Sequence, residues 1–152
     1  KDFAINHPAG ALGKKLTLTV NDLMISKRKA SGLSTNSSIK NVITKITENG
    51  IGATWVYNEI KNKNELQGII TDGDIRRAFK NNPAKKWEDL TARDLMTEDP
   101  ITIFGEELAI EALTKMELNR KKPISVMPVL DKKDNSFLGL IRLHDLVKIG
   151  IS

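Results

Sequence analysis

The stretch Gly68-Ile69-Ile70-Thr71-Asp72-Gly73-Asp74-Ile75 returns near the end of the chain as Gly139-Leu140-Ile141-Arg142-Leu143-His144-Asp145-Leu146. Asp74 and Asp145 lie 71 residues apart. A second landmark behaves in the same way: Asp22-Leu23-Met24 recurs 72 residues later as Asp94-Leu95-Met96. Two landmarks in the same order, at nearly equal offsets, mark an internal duplication.

The residues between the landmarks follow one plan in both copies. After Ser37 and Ser38, which suit a helix N-cap, apolar residues fall at Ile39, Val42, Ile43 and Ile46, and Gly50 supplies a stop. In the second copy Glu106 and Glu107 suit the positive end of a helix, and the stripe follows at Ala109, Ala112, Leu113 and Met116. Each stripe leads into a short apolar run, Ala53-Thr54-Trp55-Val56-Tyr57 or Ile124-Ser125-Val126-Met127-Pro128-Val129. A polar turn is expected next, at Lys61-Asn62-Lys63-Asn64 and at Lys132-Lys133-Asp134-Asn135. The partner strands of two hairpins then run over residues 66–70 and 137–141, and a short helix closes each copy. The expected fold class is therefore α+β, two βαββα units packed as a pseudo-twofold pair. A unit of roughly sixty residues cannot bury all its apolar faces alone. We divide the chain into a junction at 1–16, a first repeat at 17–80, a linker at 81–91 and a second repeat at 92–152. Trp87, solitary in the linker, reads as an anchor to the core in preference to a stacking platform for a ligand.

The composition narrows the function classes. Hydrophobic residues make up 39% and charged residues 28%, as in globular proteins. No apolar run approaches the roughly 20 residues that span a bilayer, so no membrane partner is expected. Without cysteine, neither a disulfide framework nor a thiolate metal site is available, and no metal is expected. A cytoplasmic location is the default. The net charge of +5 raises the question of nucleic acid, but acidic residues interrupt the basic ones nearly everywhere. The densest clusters, Lys27-Arg28-Lys29 and Arg120-Lys121-Lys122, read as solvated loop charge, and no nucleic-acid partner is expected.

The chain opens at Lys1-Asp2-Phe3, and its first fifteen residues match nothing later, which leads us to expect a preceding domain in a longer protein. The duplicated Gly-apolar-apolar-Thr-x-x-Asp signature, with Asp-Leu-Met opening each unit, resembles a tandem of CBS domains, a Bateman module. The segment Phe3-Ala4-Ile5-Asn6-His7-Pro8-Ala9-Gly10-Ala11-Leu12-Gly13-Lys14-Lys15-Leu16 resembles the junction between the sugar-isomerase domain and the CBS pair of bacterial arabinose-5-phosphate isomerases. Thr71-Asp72-Gly73-Asp74-Ile75-Arg76-Arg77 is similar to that family's first-repeat signature. Ala9 departs from it, standing where the family usually has glycine.

The resemblance implies a parent enzyme that converts ribulose 5-phosphate into arabinose 5-phosphate on the route to the lipopolysaccharide sugar Kdo. That isomerisation passes through an enediol and needs an acid/base group and a phosphate cradle. By the same resemblance His7 is an active-site residue of the parent. One histidine without a phosphate cradle cannot run the reaction, so the chain alone is expected to be inactive, with no catalytic cofactor. Ligand sites are implied in the clefts between repeats: Thr71, Gly73 and Asp74 in the first, Arg142 and Asp145 in the second. There the aspartate would accept from ribose hydroxyls and the threonine would face a phosphate. Thr71-x-x-Asp74 is equally a near match to a helix capping box, and both roles can hold together. Arg142 replaces the hydroxyl in the second repeat, either to grip an anion or to fill the site with its own charge. His144 reads as a helix-face residue. The expected ligand is a nucleotide or nucleotide-sugar, CMP-Kdo as the activated end-product or an adenine nucleotide. The expected partners are the parent's own sugar-isomerase domain and a second copy in a homo-oligomer. The alternative is a dimerisation module with a vestigial cleft.

Overall fold

The computed structural model describes residues 13, 15–60, 62–118 and 124–151. His7 and most of the junction segment therefore lie outside the described residues.

Two long helices carry the apolar stripes. In α2 (Ile39–Asn49; the shorter α1, Val20–Leu23, precedes it) the Ser38 hydroxyl accepts from the Asn41 amide at 3.2 Å, capping the N-terminus. Gly50, at φ 66°, ends it in the left-handed conformation that glycine adopts without steric cost. In α5 (Ala109–Leu118) the four expected stripe residues Ala109, Ala112, Leu113 and Met116 are all buried. Val42 and Ala112, at matching places on the two stripes, are both fully buried. Ile43 corrects the expectation: it is 42% exposed, although its counterpart Leu113 is covered. Leu113 belongs to a core cluster with Leu146 and Ile151.

The hairpins follow. Strands β3 (Ala53–Asn58) and β4 (Asn62–Thr71) pair antiparallel, with Trp55 opposite Ile69. Strands β7 (Val126–Leu130) and β8 (Phe137–Arg142) do the same, with Pro128 opposite Leu140. The first turn falls earlier than expected. Asn62 already begins β4, so the predicted turn at 61–64 is mostly strand, and the chain reverses at Glu59 and Ile60. Short strands β2 (Leu33–Ser34) and β6 (Ile103–Phe104) add parallel to β3 and β7. Helices α3 (Asp72–Asn81) and α6 (Leu143–Lys148) close the two repeats. Between the repeats, a 3-10 helix over Ala84–Asp89 carries Trp87. The Trp87 indole N–H donates to the Asn82 carbonyl at 2.9 Å, and its ring lies 4.6 Å from that of Phe79, so it packs against α3.

Each repeat also contains a short helix and strand that the βαββα description left out, and these are exchanged between repeats. Helix α1 (Val20–Leu23) and strand β1 (Ile25–Ser26) open the first repeat, but β1 pairs with β8. Helix α4 (Ala92–Leu95) and strand β5 (Thr97–Glu98) open the second, but β5 pairs with β4. The sheets consequently run β1-β8-β7-β6 and β2-β3-β4-β5. Val20 is buried in the core around α5, and Ala92 and Leu95 are buried in the core around α2. The same reciprocity appears in the backbone. Val20 N–H donates to Glu107 O at 2.8 Å and Ala109 N–H to Leu18 O at 2.8 Å. At the other end Ala92 N–H donates to Ser37 O at 2.9 Å and Ile39 N–H to Leu90 O at 3.1 Å.

The exchange explains why the two landmarks travel together. Asp22 and Asp94 accept from the backbone N–H groups of Thr19 and Thr91, at 2.8 and 2.9 Å, and so cap α1 and α4. The methionines that follow lie over the motif glycines of the opposite repeat. A Cβ on Gly68 would stand 2.7 Å from Met96 Sδ, and one on Gly139 would stand 3.1 Å from Met24 Sδ. Among the described residues no helix is long and apolar enough to cross a membrane.

Candidate functional site

Asp74 sits in the first turn of α3 and is 7% exposed. Both of its oxygens are engaged. Oδ2 accepts from the Thr71 backbone N–H at 2.9 Å and from the Thr71 hydroxyl at 3.1 Å. Oδ1 accepts from Arg77 Nη2 at 2.6 Å and from the Thr97 hydroxyl at 3.2 Å. The Asp74 backbone N–H points back to Thr71 Oγ1 at 3.3 Å, so the capping box is formed. Three elements thus meet at one carboxylate: the end of β4, the first turns of α3, and the exchanged strand β5 that brings Thr97.

Beside this carboxylate a cleft of about 280 Å³ opens. Thr71, Asp74, Arg77 and Thr97 form its polar side, with Asp99 beyond them. Ile69, Ile101, Ile124 and Val126 form the apolar side. The last three come from the second repeat, so the cleft lies between repeats. An apolar wall facing a few convergent polar groups is the usual character of a small-molecule site. Asp99 holds a left-handed backbone at φ 45°, rare outside glycine, asparagine and aspartate, where the chain leaves β5 along the cleft rim.

The equivalent position in the second repeat is filled from within. Arg142 donates through Nε and Nη2 to the two oxygens of Asp145, at 3.1 and 2.8 Å, and its backbone N–H reaches Asp145 Oδ2 at 3.1 Å. Arg142 thus pairs with the carboxylate of its own repeat. The threonine that completes the first site also has no counterpart, because Ile25 occupies the position matching Thr97.

A second cleft, about 420 Å³, adjoins the first and is lined by Thr71, Asp72, Gly73, Arg76, Arg77, Arg142 and His144 among others. Four of the five sequence-expected residues line one or other cleft, while Asp145 is tied to them only through its bonds with Arg142, so they form two clusters, Thr71–Asp74 and Arg142–Asp145. Gly73 lines the second cleft and not the first, close to Arg77. His144 is exposed on the first turn of α6, at the rim of that second cleft. Sequence reasoning missed Thr97 and the Arg77 contact. Thr97 directly follows the second Asp-Leu-Met, and the signal was there in its contrast with Ile25 after the first.

The family follows from this architecture. The CBS domain family matches residues 20–81 and 92–152, and the chain belongs to it as a tandem pair. More narrowly, the chain is 38% identical over 151 residues to the arabinose 5-phosphate isomerase KdsD of Francisella tularensis subsp. tularensis (strain SCHU S4 / Schu 4). That match covers 99% of this chain and 43% of the relative, so the chain spans less than half the length of the curated protein. Among solved structures, CBSX2 in complex with AMP superposes with a TM-score of 0.66 at 20% identity, covering 86% of this chain and 94% of that one. The CBS domain of the bacterial CNNM/CorC family Mg2+ transporter in complex with ATP gives 0.71 at 16% identity, covering 93% and 92%. These two likenesses establish the fold.

Proposed function

We propose that this chain is the regulatory part of an arabinose 5-phosphate isomerase, and that the Asp74 cleft senses a nucleotide or nucleotide-sugar. The observation that carries the reading is the cleft itself, where a buried carboxylate and two hydroxyls face an apolar wall drawn mostly from the second repeat. The apolar side suits a base, Asp74 suits ribose hydroxyls, and Thr71 at the start of α3 suits a phosphate. AMP and ATP are bound by proteins of the same fold. CMP-Kdo, the activated end-product of the implied pathway, is the feedback candidate. The second cluster, closed on itself, is not part of the sensing site.

A dimerisation module with a vestigial cleft is the competing reading. One observation favours it: Asp74 has a full set of partners without any ligand. A thermal-shift panel of CMP-Kdo, CMP, AMP and ATP separates the two. A ligand at a hundred times its dissociation constant adds about 2.7 kcal/mol of stability. Titration of Asp74→Asn then tests the residue. Losing the charged acceptor is expected to weaken binding by about 1.5–3 kcal/mol, while part of the capping bond survives. Equal affinity in both proteins would make Asp74 a helix cap alone. No stabilisation by any of the four ligands would leave the dimerisation reading standing.

For the parent enzyme we propose the sugar-phosphate isomerisation itself, with His7 as an acid/base group reaching out from the junction. The chain alone is expected to show no turnover of ribulose 5-phosphate. In the full-length protein His7→Ala is expected to lower turnover by roughly a hundredfold. Undiminished activity in that variant would remove His7 from the catalytic residues.

A further inference from the structure

We infer that Arg77 is an internal stand-in for the ligand on Asp74, and that its release makes the cleft selective for a ligand carrying both hydroxyls and a phosphate. The inference rests on the nucleotide-sensing reading and adds to it the rule by which the site chooses.

An ionised carboxylate offers about four acceptor positions. On Asp74 these are taken by the Thr71 N–H, the Thr71 hydroxyl, Arg77 and Thr97. A pair of ligand hydroxyls can bind only by displacing a partner. The two Thr71 bonds are the cap of α3, and Thr97 is held in β5 by pairing with β4. Arg77 is different. It lies one turn along α3 on a long, flexible side chain that is 51% exposed, and it makes the shortest of the four contacts, at 2.6 Å. It is the partner free to leave.

Its departure is unfavourable unless the charge is met elsewhere. The Arg77–Asp74 contact joins two opposite charges, whereas a ligand hydroxyl bonds the carboxylate without bringing a charge of its own. Arg77 lines both clefts, and in the second Arg76 stands with the carboxylate of Asp72 while Arg142 is already paired with Asp145. A neutral nucleoside would displace the guanidinium from Asp74 without bringing an anion to meet it. A nucleotide brings a phosphate to the same place, so Arg77 exchanges one anion for another. The second repeat has a related pair in a closed form. Arg142 is only 23% exposed and holds Asp145 through two side-chain bonds, so a single ligand per chain is expected.

Calorimetry with two matched pairs of probes, AMP with adenosine and CMP with cytidine, tests the exchange. In the wild-type chain the phosphorylated member of the better-bound pair is expected to bind more than about tenfold tighter, the equivalent of one charged hydrogen bond. In Arg77→Met the two affinities should move in opposite directions, the nucleotide weaker and the nucleoside tighter than in wild type. Arg77→Gln is a second variant should Arg77→Met not fold. An arginine that merely gripped the phosphate would weaken the nucleotide and leave the nucleoside unchanged. That result, or a weaker nucleoside, overturns the inference while the sensing reading stands. Absence of binding by both nucleotides to wild type overturns the exchange together with nucleotide sensing in this cleft.

Discussion

Trp55→Ala is expected to destabilise the chain by about 3–5 kcal/mol, the range for removing a buried aromatic from a packed core. The Trp55 ring is 2% exposed and stacks on Phe137, with centroids 4.0 Å apart and planes 13° from parallel. Gly32 lies so close to the ring that a Cβ there would stand 2.5 Å from the indole. The indole N–H donates to the Ala30 carbonyl at 2.9 Å, a bond that the alanine variant loses. The stack joins β3 of one repeat to β8 of the other, inside a cluster that also holds Ala30, Ala53, Ile69 and Leu140. Its removal therefore loosens the contact between repeats as well as one core. Urea unfolding measures the loss. A double-mutant cycle with Phe137→Ala should show a coupling of about 0.5–1.5 kcal/mol for the aromatic pair. Additive losses would mean that each ring packs independently and that the stack contributes no coupling.

The parts of this fold that were legible in the sequence are those with a period. The stripes on α2 and α5 and the two hairpins are long enough for burial to impose a pattern, and the duplication repeats it. Ile43 was misjudged because a stripe fixes which face points inward but not how wide the covering is. The exchange of α1–β1 and α4–β5 was not legible. Strands of two residues have no alternation to read, and their pairing partners lie far along the chain, Leu140 for Ile25 and Ile69 for Thr97. Its traces were in plain view as the repeated Asp-Leu-Met and the repeated glycine, but their meaning is mutual contact, which a linear reading does not give. The candidate site divides along the same line. Thr71 and Asp74 are local, three residues apart on one helix end, and a capping pattern finds them. Thr97, Ile124 and Val126 reach the cleft only through the exchange and the packing of repeats. Arg77 sits one turn beyond Asp74, within reach of a sequence argument, but a sequence does not say whether two neighbouring charges pair or diverge.

Gly139→Ala is expected to cost about 3 kcal/mol, the upper part of the range for overpacking. The added Cβ would stand 2.3 Å from the Ile25 carbonyl oxygen and 3.1 Å from the carbonyl carbon. Those are backbone atoms, and a rotamer change cannot move them. The variant must push β1 off β8, giving up the Ile25–Leu140 and Ser26–Gly139 pairing and the 2.8 Å bond from Lys27 N–H to Leu138 O. Gly13→Ala, at a helical position where nothing lies within 4 Å, is the control and should cost no stability, the alanine if anything favouring the helix. A loss below about 1 kcal/mol for Gly139→Ala would show that the exchanged strand is held loosely. Gly68→Ala makes the comparison functional. Its Cβ would meet the Thr97 carbonyl at 2.8 Å and Met96 Sδ at 2.7 Å, and the sulfur can yield more readily than the carbonyl. The stability loss should therefore be the smaller of the two. Thr97, however, is the residue that β5 delivers to Asp74. Displacing it should weaken nucleotide binding in Gly68→Ala, while Gly139→Ala, acting on the self-filled side, lowers stability and leaves the affinity of the folded protein unchanged. Equal affinities in the two folded variants would separate the exchanged strand from the sensing site.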